Sequence, residues 1–160
     1  METLAVRTLA DGLTFGEGPR WHDGKLWISD MHGHRIVTCD MNGNIDEIHR
    51  VENRPSGLGW LPDGRLLFVS MLDMKLCVLA DGSASDYCDL SPFVGGDPND
   101  MVVDAQGRAY VGNFGFDLIG GEEMKGADLV MVGLDRKATV VANDLLFPNG
   151  TVITPDGRTL

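Results

Sequence analysis

Positive charge, cysteine and long apolar runs are all scarce in this chain. Lys and Arg number 13 against 24 Asp and Glu, a net charge of −11 over 160 residues. Such a balance argues against a nucleic-acid partner, which needs a basic face for phosphates; it is compatible with binding cations. Three cysteines (Cys39, Cys77, Cys88) without a Cys-x-x-Cys spacing make no disulfide framework. Reduced, buried thiols in a cytoplasmic protein are the expectation. No stretch approaches the ~18 apolar residues of a membrane span, and the opening METLAVRTLADG lacks the basic start and apolar core of a secretory signal. Neither a Gly-x-Ser-x-Gly nucleophile turn nor a phosphate-cradling glycine loop occurs, which sets those enzyme classes aside. No amphipathic helical periodicity of useful length is found either.

What is abundant is glycine, 21 residues, and its placement is periodic. WHDGKLWISD, WLPDGRLLFVS, VVDAQGRAYVGN and ITPDGRTL each bring an apolar approach to a tight turn ending in glycine, followed by a basic residue. The turn glycines Gly24, Gly64, Gly107 and Gly157 recur at spacings of 40, 43 and 50 residues. Asp-Gly between apolar runs is a strong hairpin signal. Short strands separated by turns follow each one, giving about four strands per unit, the period of a β-propeller blade. The expected fold is all-β and of propeller type, residues 1–160 forming one partial domain of three blades and the first strand of a fourth. Since a closed ring needs at least four blades, a piece of a longer protein is expected, marginal in stability and weakly active or inactive alone. A sandwich would explain the strands but not the recurring turn.

Eight residues before the turn glycines stand Gly16, Ser56, Asn99 and Asn149, in the words GEGP, PSG, PND and PNG. Glu17 lies one step from that phase. In a propeller, equivalent residues ahead of each innermost strand gather at one mouth of the central channel. A carboxylate from Glu17 and amide oxygens from Asn99 and Asn149 would there form a hard-oxygen site for a divalent cation. Prolines Pro19, Pro55, Pro98 and Pro148 stiffen these approaches. Each word alone is ordinary turn chemistry; their common phase is what points to a site. The His32–His34 pair reads instead as a solvated hairpin turn, with no further zinc ligands at workable spacing.

GEGPRW, PND, PNG and the PDGR repeats, in this order, resemble the gluconolactonase/senescence-marker-protein (regucalcin-like) family over Thr14 to the last residue, the N-terminal half of a family fold. The resemblance implies a six-bladed propeller and hydrolysis of a lactone assisted by one divalent cation, calcium or zinc, with magnesium or manganese as alternatives. It implies Glu17 and Asn149 as metal ligands and Asn99 as a residue holding the metal's waters or the substrate. The family's base aspartate would fall beyond Leu160. Asp100 is a candidate orienting or catalytic residue, with the capping of a turn as its plain alternative. Animal members carry an arginine where this chain has Asp97, so a sugar-lactone preference like theirs is not expected. FGFDLIGGEEMKGAD, Phe114 to Asp128, reads as a surface excursion or as a lid whose apolar side is Phe114 and Phe116. Two other functions remain open on the sequence: a non-catalytic propeller scaffold with a structural cation, and a calcium-dependent organophosphate esterase.

Overall fold

The computed structural model describes residues 5–160. Twelve strands form three four-stranded antiparallel sheets, each a meander of consecutive strands. The first holds β1 (Gly16–His22), β2 (Lys25–Asp30), β3 (Arg35–Cys39) and β4 (Ile45–Arg50). The second holds β5 (Pro55–Trp60), β6 (Leu66–Ser70), β7 (Lys75–Ala80) and β8 (Ser83–Asp89). The third holds β9 (Pro98–Val103), β10 (Ala109–Asn113), β11 (Ala127–Val132) and β12 (Ala138–Leu145). The innermost strands pack in sequence, β1 against β5 and β5 against β9, as successive blades wound about one axis require.

The middle sheet explains why its strands read as continuous apolar runs rather than alternating ones. Successive side chains of β6 point to opposite faces. Leu66 and Phe68 join Ile36, Leu58 and Cys77 in a core against the first sheet. Leu67 and Val69 join Leu76, Met101, Val111 and Val130 in the core against the third. Both faces are dry, so both phases of the strand are apolar. Cys39, Cys77 and Cys88 are free and buried.

The turn glycines behave as the repeat predicts. Gly24, Gly64, Gly107 and Gly157 all have positive φ, between 67° and 87°, a region that only glycine enters without steric cost. In the first blade the turn is two residues, Asp23 and Gly24, both at positive φ, the backbone that matches strand twist. In the second and third, Trp60 pairs with Leu66 and Val103 with Ala109, leaving longer turns. The fourth unit is present as its turn: Thr154 N–H bonds Thr159 O, and residues 146–160 contain no strand. A lone hairpin without a sheet to join is marginal, so the expected first strand is not formed there. Among the described residues no helix is long and apolar enough to cross a membrane.

Candidate functional site

Each innermost strand carries the same irregularity. One extra residue is inserted between Glu17 and Arg20 in β1, between Pro55 and Leu58 in β5, and between Pro98 and Met101 in β9. Such bulges re-aim a side chain. The pairing also corrects the phase read from the sequence. Asp30, Ser70 and Asn113 end their strands opposite Gly16, Pro55 and Pro98. The next residue in each unit is Glu17, Ser56 or Asn99, so these three are equivalent. Counting from the turn glycine places Glu17 one step off because the tighter first-blade turn brings its glycine two residues closer to the strand end, while β1 runs one residue longer past the phased position.

A pocket of about 210 Å³ opens at this end of the sheets. Its polar wall is Glu17, His32, Arg54, Asp97, Asn99 and Asn149. The apolar wall is Phe15, Met31, Met71, Phe114 and Phe147, with Leu118 and Ile119 reaching over from the loop between β10 and β11. Most of these residues fall into three rings. Glu17, Asn99 and Asn149 come from the phased position. Phe15, Arg54, Asp97 and Phe147 each stand two residues before it. Met31, Met71 and Phe114 each follow the end of a second strand. One backbone hydrogen bond ties the last two rings together in every blade: Met31 N–H to Phe15 O (2.8 Å), Met71 N–H to Arg54 O (3.0 Å) and Phe114 N–H to Asp97 O (3.1 Å).

The blades approach closely beneath this wall. Gly18, at φ 52°, leaves no room for a Cβ, which would stand 2.9 Å from Ser56 O. Two glycines flank Glu17 in the sequence, and the second is needed for this approach. The Ser56 hydroxyl, fully buried, donates to Asn99 Oδ1 at 2.7 Å, and Ser29 Oγ donates to Ser56 O. Asn99 is thereby held by the neighbouring blade, and its Nδ2 has no protein partner among the described residues.

Burial lifts the Glu17 carboxyl above its ordinary range; the charge of Asp100 adds to the rise and the Gly18 N–H opposes it. No cation is among the groups acting on it. Burial also lifts Asp97, with Asp117 adding and Arg54 opposing. Asp100 does not line the pocket. Its Oδ1 accepts from Arg20 Nη2 at 2.9 Å and from the Met101 N–H at 2.8 Å. Phe116 lies beneath the wall rather than on it, 3% exposed, its ring tilted at 6.2 Å from Phe147. Phe114, stacked on Phe147 at 4.7 Å, faces the pocket, and the loop's apolar contribution comes from Leu118 and Ile119. His32 sits exposed in the expected hairpin turn and also borders the pocket, edge-on to Phe15 at 5.3 Å. His34 keeps the turn role, its Nδ1 at 2.6 Å from Glu52 O.

One carboxylate and two carboxamides are hard-oxygen donors, the chemistry calcium and magnesium take. Among the described residues no group of three or more His, Cys, Asp or Glu side chains is placed to hold a metal. Any cation here therefore rests on Glu17 with amide oxygens. The donor types fit, and the half-buried Glu17, with no cation acting on it, fits with them.

The family model for the SMP-30/gluconolactonase/LRE-like region matches residues 15–160. The chain belongs to that family. Among solved structures it is similar to a gluconolactonase from Xanthomonas campestris, at 24% identity and TM-score 0.76, over 94% of this chain and 54% of that one. A calcium-binding regucalcin from Agrobacterium tumefaciens is similar at 23% identity and TM-score 0.71, over 91% and 48%. A luciferin-regenerating enzyme is similar at 19% identity and TM-score 0.74, over 91% and 50%. The family member described here spans about half the length of these structures. At such identities the likeness establishes the propeller-type fold.

Proposed function

We propose that this protein is a lactone hydrolase of the gluconolactonase type that uses one divalent cation. The observation that carries the reading is that Glu17, Asn99 and Asn149, from the first, third and fourth repeat units, line one pocket with an apolar wall. A binding scaffold has no use for a half-buried carboxylate, with no cation acting on it, that lines one small pocket together with two carboxamides. Glu17 and Asn149 would hold the cation, which when bound supplies Lewis-acid polarisation of the ester carbonyl.

The chain's own residues do the rest of what can be assigned. The Phe114–Phe147 stack and the two methionines seat the ring of a cyclic ester and keep bulk water from it. Asn99, its Oδ1 engaged by Ser56, offers its amide N–H to a substrate oxygen or an ordered water. Glu17 serves as an anchor, since a coordinated carboxylate is poorly placed to accept a proton. Asp100, bonded to Arg20, orients the strand below Glu17 and is not the group that activates water.

Hydrolysis of an aromatic lactone and a sugar lactone by the purified full-length protein, with and without chelator, tests the reading. Glu17→Gln should lower kcat/KM by about a hundredfold or more, and elemental analysis should find less bound cation in the variant. Activity indifferent to both treatments removes the metal-lactonase reading. An organophosphate ester assayed in parallel distinguishes the related esterase chemistry, and bound cation without turnover of any ester leaves the scaffold.

A further inference from the structure

Arg54 is the feature of this pocket that lactone hydrolysis alone does not use. It stands in the connection between β4 and β5, two residues before Ser56, and lines the cavity. Its Nε is buried and has no hydrogen-bond partner among the described residues. It is a member of none of the ion pairs formed by those residues. A buried donor left unpaired is destabilising and uncommon in folded proteins.

The backbone holds Arg54 there against a second penalty. Its φ is 60°, in the left-handed region that favours glycine and disfavours arginine. The segment is pinned in this shape by Met71 N–H to Arg54 O and Leu72 N–H to Asn53 O, both 3.0 Å. Two unfavourable features at one pocket residue are the pattern of a functional constraint.

We infer that Arg54 is a specificity-determining residue, which receives a carboxylate carried by the substrate on an otherwise apolar body. This rests on the lactonase reading for the reaction but not for the binding. The planar guanidinium matches a carboxylate with two parallel hydrogen bonds. The apolar part of the wall (Phe15, Met71, Phe114 and Phe147) offers contact to an apolar or aromatic ring. Glu17, Asp97 and Arg54 together leave one negative charge on the wall, and one divalent cation turns that into one positive charge. An anionic substrate is then favoured over a neutral one.

Calorimetric titration of the purified full-length protein with phenylacetate, and with 2-phenylethanol as its neutral counterpart, reads the binding directly. Phenylacetate should bind about tenfold or more tightly than the alcohol, and Arg54→Gln should abolish that preference. Arg54→Lys, which keeps charge without the fork, should retain only part of it. Equal affinities in wild type and Arg54→Gln, or no binding of phenylacetate by wild type, overturn the inference. A pair of aromatic lactones differing only by a carboxylate then separates the two ideas. Equal kcat/KM for both, unchanged in ratio by Arg54→Gln or Arg54→Lys, sinks the role of Arg54 and leaves the lactonase. Arg54-dependent phenylacetate binding with neither lactone hydrolysed sinks the lactonase and leaves Arg54.

Discussion

Replacing Gly57 by alanine tests whether the site depends on the close contact of blades. Gly57 has no positive φ, so alanine there carries no backbone strain of its own. Space is the whole issue. A Cβ at Gly57 would stand 2.4 Å from Met101 N and 2.9 Å from Asp100 C. Those are backbone atoms of β9, which cannot turn aside as a side-chain end could. To reach even 3.0 Å, below which real Cβ atoms essentially never stand, β9 must retreat by about 0.6 Å. Overpacking of this kind costs about 1–3 kcal/mol, and a backbone obstacle puts Gly57→Ala at the upper end, about 3 kcal/mol. For a domain of this size that is a fall in Tm of roughly 6–12 °C. Gly64→Ala is the control, because Gly64 sits at φ 87° with nothing within 4 Å of the added Cβ. It pays strain without collision, about 1–2 kcal/mol. The retreat of β9 would also stretch the 2.7 Å bond from Ser56 to Asn99, so lactone kcat/KM should fall in Gly57→Ala and hold in Gly64→Ala. Thermal melts and initial rates of the two variants decide it. A Gly57→Ala protein that melts at or above Gly64→Ala and keeps full activity refutes the packing argument.

Asp30, fully buried, accepts from the Thr14 and Phe15 N–H groups and from Arg35. Burial alone would raise its carboxyl, but these bonds outweigh it and hold the group below its ordinary 3.8. A folded value lower than the unfolded one means stability that is present above about pH 4 and lost as pH falls through the folded value. Asp30→Asn should therefore lower the urea midpoint at pH 7 by an amount equivalent to about 2 kcal/mol and flatten the loss as pH falls below about 4; equal acid limbs for both proteins would contradict this. Burial pushes the Cys77 thiol up to about 12, with Asp73 and Asp86 adding to the rise. Iodoacetamide at pH 8 should thus leave Cys77 unmodified in the native protein and label it in denaturant, as read by peptide mass mapping; native labelling at the rate of a free thiol would refute it.

The blades were legible because glycine turns repeat at a spacing, and spacing survives in one dimension. Gly24, Gly64 and Gly107 need positive φ whatever surrounds them, so the sequence must keep them. The meeting of Glu17, Asn99 and Asn149 followed from the same spacing. Phe116 was misplaced because alternation along a loop does not say which of two phenylalanines faces in. Arg54 and Phe147 are not legible for another reason. Each lies in a connection rather than in a repeated word, and the residue type at its position changes from blade to blade, as Phe15, Arg54 and Asp97 show. A signal existed all the same: Phe15, Arg54, Asp97 and Phe147 share one offset from the phased position. Asking which residues stand two before each phased position finds the whole ring.

That offset shows how one repeated frame can carry a specific chemistry. The bulge in each innermost strand and the hydrogen bond from the third ring to the second recur unchanged in all three blades. They are satisfied by backbone atoms, so they place few demands on the side chains they display. The side chains are then free to differ: Glu17, Ser56 and Asn99 at one ring, Phe15, Arg54 and Asp97 at the next. Ser56 turns its hydroxyl to its neighbour Asn99 instead of the cavity, which lets one member of the ring hold another in place. A substitution at a ring position should therefore alter what the pocket binds with little change in folding, whereas a substitution such as Gly57→Ala, in the backbone contact beneath, should do the reverse first and disturb binding as a consequence. The separation of those two effects is what a repeat architecture makes available, and it is why the chemistry of this pocket has to be read from three variable rings and not from the repeat itself.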